Sequence, residues 1–474
     1  MKNTLFGKIL SSGLQAIAVQ VFGGVFFIII SFYLSKDYFG VINWANAVAM
    51  VLTMLLSFGM DQVVVRRIAA SETSDWAATA YLMHAGAGSL VTFLILFGIS
   101  IVPPFQDAPK IQLLPWLFLS QGLLFTAGPI KQLLNAKQHF KPYALIAIIS
   151  NSAKLLAAYW LIRTDALSVN GVMAILVICG LFELLALLIY SLVKKKLELT
   201  FRRTAYLKLL KEAAPQYVAV LFDASLARID WILLGIISTP AASAEYGLAY
   251  RAYEIAKLPL TVLSPILLAR FAKVLMVNTT LSEGTQKQVK DLFVLEMFFA
   301  TMIPLVLNIL WAPVLDDVFK GKYGSVNAME FMILSICIPI QFYINLLWTL
   351  SFSARKYKQI STIIASTAFI NIGLNAILIP FYGGMGAAIA FLVTSVMQLV
   401  GYYRLSDKYV MKFSSLPLFS FLLIGAVSYI AAVNIVSALW MQVGLAVFLY
   451  VAIALVLRQV NTRNVKSLLT LLKK

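Results

Sequence analysis

Charged residues are scarce in this sequence: they make up 12% of its 474 residues, whereas 61% are hydrophobic. A soluble domain carries about 25% charged residues, so an assembly of soluble domains is excluded and a polytopic membrane protein is predicted. Cysteine is also scarce, and both cysteines, Cys179 and Cys337, lie in apolar segments. The pattern indicates neither a disulfide framework nor a metal centre, and no cofactor is expected.

Long apolar runs, in contrast, are abundant. A run of about 20 apolar residues is long enough to cross a membrane as a helix. The sequence contains fourteen such runs, so we predict an all-α polytopic membrane protein with about 14 transmembrane helices. They lie near residues 10–34, 39–59, 76–102, 111–134, 143–163, 168–193, 215–238, 246–270, 291–313, 329–353, 359–380, 383–403, 416–436 and 438–458.

Basic residues are divided unequally between the two sides of these spans. Lys and Arg number 38 and give a net charge of +18, and most of them lie in the links on one side. The links on the other side contain Lys36, Lys110, Arg163, Lys320 and Lys322. Positive charge is retained in cytoplasmic loops, so both termini are predicted to be cytoplasmic. The basic balance thus indicates orientation, and nucleic acid is not an expected partner.

Two local features complete the membrane pattern. The residues MKNTLFGKIL lead into the first run without a small-residue cleavage site, which predicts a retained span rather than a removed signal peptide. In the long basic link, Tyr206, Leu209 and Leu210 would share one helix face. We therefore predict an amphipathic helix over 197–214 on the inner leaflet, where it would meet anionic lipids. A solvated basic tether is the alternative.

Three segments recur in the same order in the second half of the chain. KDYFGVINWANAV (36–48) resembles SAEYGLAYRAYEI (243–255), HFKPYALIAIIS (139–150) resembles RKYKQISTIIAS (355–366), and NGVMAI (170–175) resembles MGAAIA (385–390). Six spans separate the copies, so we predict two parallel six-helix lobes around a central cavity. The predicted divisions are an N-lobe (1–196), the linker 197–214, a C-lobe (215–406), and two further helices with a cytoplasmic tail (407–474).

At this point the sequence resembles a known family. LSKDYFGVINWANAVAMVLTMLLSFGMDQVVVRRIAA (34–70), LLNAKQHFKPYALI (133–146), YGLAYRAYEIAKLPLTVLSPILLARFAK (246–273) and NIGLNAILIPFYGGMGAAIAF (371–391) are similar to stretches of bacterial polysaccharide flippases. These flippases belong to the multidrug/oligosaccharidyl-lipid/polysaccharide (MOP) exporter superfamily. The likeness extends over almost the whole chain, but its motifs are structural and specify the family better than the substrate.

The resemblance implies a function in the bacterial inner membrane. It implies export of an oligosaccharide linked to undecaprenyl diphosphate, such as an O-antigen repeat unit, by alternating access of the two lobes. Coupling to an ion gradient is expected, and so are a polysaccharide polymerase and a chain-length regulator as partners. The chain is expected to be a transporter and not an enzyme.

Charged residues within the predicted spans are the candidate site residues. Each costs roughly 3 kcal/mol if it faces lipid at the bilayer centre, so they are expected to face one another or a cavity. A diphosphate needs cations at such depth, which makes the four basic residues candidates for lining the substrate path. They are Lys154, Arg228, Arg251 and Lys257. A buried structural pair of Arg251 with Glu254, three residues on, is the alternative for that arginine.

The acidic residues within the spans are candidates for ion or proton coupling, together with one histidine. They are Glu183, Asp223, Asp230, Glu254 and His84. Hydrogen bonding between helices is the alternative for each. Arg66 and Arg270 follow spans on the cytoplasmic side and are candidates for contacting an entering diphosphate, with plain positive-inside anchoring as the alternative.

Three other functions compete with the flippase. A drug antiporter of the same superfamily usually has twelve spans and an acidic cavity. A lipid II flippase is associated with cations in its first helix, whereas the first span here, 10–34, has none. A polymerase or ligase needs a large outer loop, but the longest outer link, LDDVFKGKYGSVNAM (315–329), is short and contains no nucleophile constellation.

Overall fold

The structure, a computed structural model, describes residues 20–70, 75–103, 105–137, 139–194, 197, 202–260, 263–264, 267–268, 271, 282–461 and 464. Within these ranges the regular elements are helices, and the prediction of an all-α fold is confirmed. In chain order they are α1 Gln20–Tyr33, α2 Lys36–Ser57, α3 Met60–Ala70, α4 Trp76–Ile101, α5 Pro109–Ala136, α6 Phe140–Arg163, α7 Val169–Val193, α8 Arg203–Ile237, α9 Pro240–Ala256, α10 Glu283–Phe319, a 3₁₀ turn Ser325–Asn327, α11 Ala328–Ser353, α12 Tyr357–Tyr409, α13 Leu416–Ile435 and α14 Leu439–Val456.

The helices account for the predicted membrane spans. Ten helices in the described ranges are long and apolar enough to cross a membrane. One of these, α12, supplies two spans because it is broken near its middle. The helices α1, α8 and α9 occupy the remaining predicted spans, and α8 and α9 carry embedded charges that lower their hydropathy. The helices are therefore consistent with the predicted number of about fourteen spans.

Gly383 is the break in α12. Its φ of 53° and ψ of −128° are not helical, and glycine enters such a region without the clash that a Cβ imposes. Gly386 lets the two arms approach, because a Cβ there would lie 2.5 Å from the Leu378 carbonyl oxygen. The break lies between the predicted spans 359–380 and 383–403, so these glycines form the turn that joins them.

Serine side chains begin several of the helices. Ser35 accepts a hydrogen bond from the Tyr38 N–H of α2 at 3.3 Å, and Ser168 accepts one from the Gly171 N–H of α7 at 3.1 Å. Such N-caps satisfy backbone donors that have no partner within the helix. At the other end of α2, Phe58 and Gly59 have φ of 50° and 72°, which turns the chain sharply into α3.

The chain forms two compact units, one within Ser11–Leu248 and the other containing Ala249–Lys474. The first, here called the N-terminal unit, has a continuous core that includes Met60, Val64, Tyr81, Ala127 and Leu133. Large apolar side chains on its outer helices, such as Leu156 and Trp160 of α6, remain mostly exposed. That distribution fits a helix surface surrounded by lipid rather than by water.

The amphipathic segment and the seventh predicted span form one helix, α8, of 35 residues. Tyr206, Leu209 and Leu210 do share a face, but that face packs on the core of the N-terminal unit, where Leu209 is fully buried. This corrects the expectation that the apolar face lies on the inner leaflet. An apolar stripe of this width suits a protein core as well as a lipid surface, so the pattern alone did not separate the two.

Candidate functional site

A cluster of three charged side chains lies inside the N-terminal unit, on three membrane helices. Lys131 of α5 donates a hydrogen bond from Nζ to Glu183 Oε1 of α7 at 2.6 Å. Lys154 of α6 is also buried and lies close enough to Glu183 to interact electrostatically with it. Its Nζ is 3.4 Å from Asn151 Oδ1, which is a long hydrogen bond. The cluster therefore contains two ammonium groups and one carboxylate.

Close packing of the helices holds this charge cluster in place. Ser120 Oγ of α5 donates to the Leu176 carbonyl of α7, and Ser150 Oγ of α6 donates to the Cys179 carbonyl of α7, both at 3.1 Å. A Cβ at Gly180 would lie 3.3 Å from the Ser120 carbonyl oxygen, so glycine permits the approach of α5 and α7. Because buried charge is costly unless it is paired, a net positive centre at this depth indicates a site that attracts an anion.

At the predicted outer end of the N-terminal unit, α2 is joined to the α8–α9 hairpin. Lys36 at the start of α2 pairs with Glu245 at 2.5 Å, and Gly40 packs directly against Pro240. Trp44 donates from Nε1 to the Ile232 carbonyl at 3.2 Å. The segment predicted to repeat thus begins, in its two copies, with residues that contact one another.

The acidic and basic side chains of this hairpin have defined surroundings. Asp230 is buried, and its two oxygens accept hydrogen bonds from the Trp231 N–H and the Tyr246 hydroxyl. Arg228 lies over the Trp231 ring, with 5.3 Å from its guanidinium carbon to the ring centroid. Asp230 therefore joins α8 to α9 through a hydrogen bond, which is the alternative to ion coupling given above for this residue.

At the predicted cytoplasmic end, α8 is joined to α3 and α4. Arg67 of α3 donates from Nε to Glu212 Oε2 of α8 at 2.9 Å, with a second bond from its other nitrogen. This pairing lowers the pKa of Glu212 below its ordinary value. His84 Nδ1 lies 2.8 Å from the Tyr206 hydroxyl and His84 Nε2 lies 2.7 Å from the Leu56 carbonyl oxygen. Both ring nitrogens of His84 are thus engaged between helices, while Arg66 is exposed.

Between these two sets of contacts lies a cavity of about 380 Å³. It is bounded by α2, α3, α5 and α8, all in the N-terminal unit. Four lining side chains are polar, namely Thr53, Ser57, Asp61 and Gln121. The other four are Met54, Leu124, Phe125 and Val220. Burial raises the pKa of Asp61 above its ordinary value, and Gln132 Nε2 donates to its Oδ1 at 3.3 Å.

The second unit contains the other candidates. Lys257 Nζ lies 4.1 Å from the centroid of the Tyr253 ring, a cation–π distance, and Tyr253 packs edge-on against Phe391 with centroids 5.4 Å apart. Arg251 and Glu254 lie on α9, both partly buried. Polar side chains also join the arms of α12, where Asn371 Nδ2 donates to Thr394 Oγ1 at 3.3 Å.

Two candidates cannot be placed. Arg270 lies outside the described residues, and for Asp223 only the helical backbone of α8 is described. The structure also adds residues that the sequence did not single out as site residues. Lys131 lies near the end of the predicted span 111–134, and its partner Glu183 is 52 positions away. Asp61 follows the predicted span 39–59, and nothing in its spacing indicates a cavity.

Comparison with known proteins gives a family and a fold. The profile of a family described as polysaccharide biosynthesis protein matches residues 5–271. No curated protein matches the chain by sequence.

Several solved structures share the fold at low identity. The lipid II flippase MurJ, in an inward closed conformation, has a TM-score of 0.74 and 14% identity over 94% of this chain and 99% of that one. An inward-facing multidrug resistance MATE family transporter of the MOP superfamily has a TM-score of 0.62 and 14% identity over 85% of this chain and 99% of its own. The MATE transporter VcmN of Vibrio cholerae, in its bent form, has a TM-score of 0.57 and 14% identity, over 87% and 98%.

Proposed function

This chain belongs to the polysaccharide biosynthesis protein family of the MOP superfamily, and on that premise we propose that it is a flippase for a lipid-linked oligosaccharide. The substrate is an oligosaccharide on undecaprenyl diphosphate, of the O-antigen repeat-unit type. It moves from the cytoplasmic to the outer leaflet of the bacterial inner membrane by alternating access of two lobes. Both termini are cytoplasmic, and a polymerase and a chain-length regulator receive the product.

An excess of positive charge around a buried carboxylate in the N-terminal unit carries this proposal. Lys131 and Lys154 share the single carboxylate of Glu183. A diphosphate is an anion whose oxygens accept charge-assisted hydrogen bonds from ammonium groups. Lys154, which among the described residues makes a long bond to Asn151 besides its attraction to Glu183, is the group that binds the diphosphate. Arg228, Arg251 and Lys257 extend this role along the substrate path, and Arg66 and Arg270 act at its cytoplasmic entrance.

The same cluster supplies a route to ion coupling. When Glu183 is ionised it neutralises one lysine, and when it takes up a proton both lysines lack a counter-charge. Binding of a proton to Glu183 and of an anion to Lys154 are therefore linked, so that loss of the proton weakens the binding of the anion. Asp223, Asp230, Glu254 and His84 are secondary candidates for this role.

An organic-cation antiporter is the second candidate function. The cavity around Asp61 favours it, because this cavity contains a carboxylate and no cationic side chain among its lining residues. MATE transporters have a similar fold, but fold alone does not define the transported molecule.

The test is a deletion strain complemented with variants of this chain. Deletion is expected to abolish surface polysaccharide and to accumulate the undecaprenyl-diphosphate-linked oligosaccharide, measured by mass spectrometry of extracted lipids. The Lys154→Met variant is expected to accumulate in the membrane like the wild type but not to restore export. Lys358→Met, which removes an exposed charge in the first turn of α12, is the matched control and is expected to restore both. Normal lipid-linked intermediates with altered sensitivity to cationic drugs would instead identify an antiporter.

A further inference from the structure

Hydroxyl groups of α2 line the cavity in the N-terminal unit, and their hydrogen bonds show which atoms are free to bind a ligand. Thr53 Oγ1 donates its hydrogen to the Met50 carbonyl, and Ser57 Oγ donates to the Met54 carbonyl, both at 2.8 Å. A hydroxyl has one hydrogen and two lone pairs. Ser57 Oγ also accepts from the Gly59 N–H at 3.4 Å, so each hydroxyl has its hydrogen engaged and at least one lone pair left as an acceptor.

The two other polar side chains reinforce this character. Gln121 Nε2 donates one of its two hydrogens to Asn46 Oδ1 at 2.8 Å, and its carbonyl oxygen remains an acceptor. Asp61 accepts a bond from Gln132, interacts with the Tyr81 hydroxyl and has further lone pairs. Most of the polar groups that line the cavity are thus oxygen acceptors, one of them a carboxylate, and a ligand that fits it must bring hydrogen-bond donors.

This requirement excludes the diphosphate from the cavity. Phosphate oxygens are acceptors and are recognised by Lys, Arg or backbone N–H groups, whereas neither Lys nor Arg is among the lining residues. A bare metal ion does not fit either, because hard cations need several converging oxygens at about 2.0–2.6 Å. Among the described residues no group of three or more acidic, His or Cys side chains lies close enough together to hold one.

The remaining lining residues describe the shape of the ligand. Met54, Leu124, Phe125 and Val220 give the cavity an apolar side. A volume of about 380 Å³ is that of a small-molecule site, large enough for one or two sugar rings. A pyranose has hydroxyl hydrogens around its rim and apolar C–H groups on its faces, so it matches both the acceptors and the aromatic side.

From these features we propose that the cavity binds the sugar residues next to the diphosphate of the transported lipid. Their hydroxyl groups donate to Thr53, Ser57, Asp61 and Gln121, and one ring face packs on Phe125. This inference rests on the proposed flippase function and assigns two parts of the substrate to two sites. The lysine cluster binds the diphosphate, and the cavity recognises the sugar.

The test compares two synthetic lipids on the purified full-length protein. The probes are farnesyl diphosphate and farnesyl diphosphate carrying one N-acetylglucosamine, and binding is measured by microscale thermophoresis. The wild type is expected to bind the glycosylated probe more tightly than the bare diphosphate. Gln121→Leu is expected to weaken binding of the glycosylated probe about fivefold, the loss of one hydrogen bond of about 1 kcal/mol, with little change for the bare diphosphate. Phe125→Leu, which keeps an apolar side chain, is expected to show the same split.

The control is Gln112→Leu, the same substitution on the same helix at an exposed position outside the cavity. It is expected to leave the affinity for both probes unchanged. Equal wild-type affinity for the two probes, or equal weakening of both by Gln121→Leu, would overturn the sugar assignment while leaving the flippase standing. If neither probe binds, the flippase proposal fails as well. Binding of tetraphenylphosphonium that depends on Asp61 would instead assign the cavity to an organic cation.

Discussion

The Lys131 ammonium group lies 2.6 Å from the Glu183 carboxylate in the interior of the N-terminal unit, and Glu183 also attracts the buried Lys154. One carboxylate thus serves two lysines on two different helices. The three residues are not interchangeable, because removing the carboxylate leaves the buried Lys154 and the partly exposed Lys131 without a counter-charge, whereas removing one lysine leaves a balanced pair.

We therefore expect Glu183→Gln to destabilise the protein more than Lys131→Met. Breaking a buried ion pair by removing one partner costs about 3–5 kcal/mol, and in Lys131→Met the remaining Lys154 offsets part of that loss. Thermal unfolding in detergent measures the difference. The double variant Lys131→Met/Glu183→Gln should have a higher melting temperature than Glu183→Gln alone. If Lys131→Met is the more harmful change, Lys154 does not interact with Glu183 as described.

The pairing of Arg67 with Glu212 should stabilise the attachment of α8 only when the carboxylate is ionised. The pairing lowers the pKa of Glu212, so its contribution is present above the ordinary carboxyl pKa and is lost as the pH falls through the lowered value. Both side chains are partly exposed, and such a pair contributes at most about 1 kcal/mol. Arg67→Met should accordingly lower the melting temperature slightly at pH 7 and by less as the pH falls, while a difference that does not change with pH would contradict the assignment.

Alanine substitutions at two glycines of α12 should have opposite effects on stability, one in its turn and one in its first arm. Gly386→Ala is expected to destabilise the protein, because the new Cβ would lie 2.5 Å from the Leu378 carbonyl oxygen. Gly373→Ala in the same element is the control, since nothing lies within 4 Å of the new Cβ and alanine favours a helix over glycine by up to about 1 kcal/mol. Melting temperatures of the two variants should move in opposite directions, and equal losses would argue against the tight turn.

Charge reversal should test the outer contact of α2 with α9. Lys36→Glu places two carboxylates where Lys36 and Glu245 now pair at 2.5 Å, so it should separate the helix ends and reduce polysaccharide export. The double reversal Lys36→Glu/Glu245→Lys should restore export toward the wild-type level. Surface polysaccharide in a deletion strain measures both, and failure of the double reversal to improve on Lys36→Glu would show that the ion pair is not what matters.

Much of this fold follows from local properties of the chain. Hydropathy over windows of one helix length located the spans, and the Gly383–Gly384 pair located the outer turn, since only glycine enters the backbone region found there. Tyr206, Leu209 and Leu210 were correctly placed on one face. What covers that face was not predictable, because lipid and protein select the same apolar stripe.

The candidate site was less accessible to sequence reasoning. Glu183 and Lys154 were singled out because charge is rare in apolar runs, but Lys131 was grouped with the cytoplasmic cations at the end of its span. Its partner lies two helices further along the chain, and pairing across such a distance is decided by packing. Asp61 likewise acquires its importance only from the cavity that α2, α5 and α8 enclose around it.

The continuity of α8 has a mechanical consequence. A helix of 35 residues is about 52 Å long and exceeds a hydrocarbon core of about 30 Å, so α8 is long enough to begin beyond the membrane at Arg203 and to end at its far face. A tilt of about 10° about one end would displace the other by about 9 Å at this length. The displacement of a spectroscopic label near Arg203, on the aqueous side, would therefore report the tilt of the half of the helix that lies in the membrane.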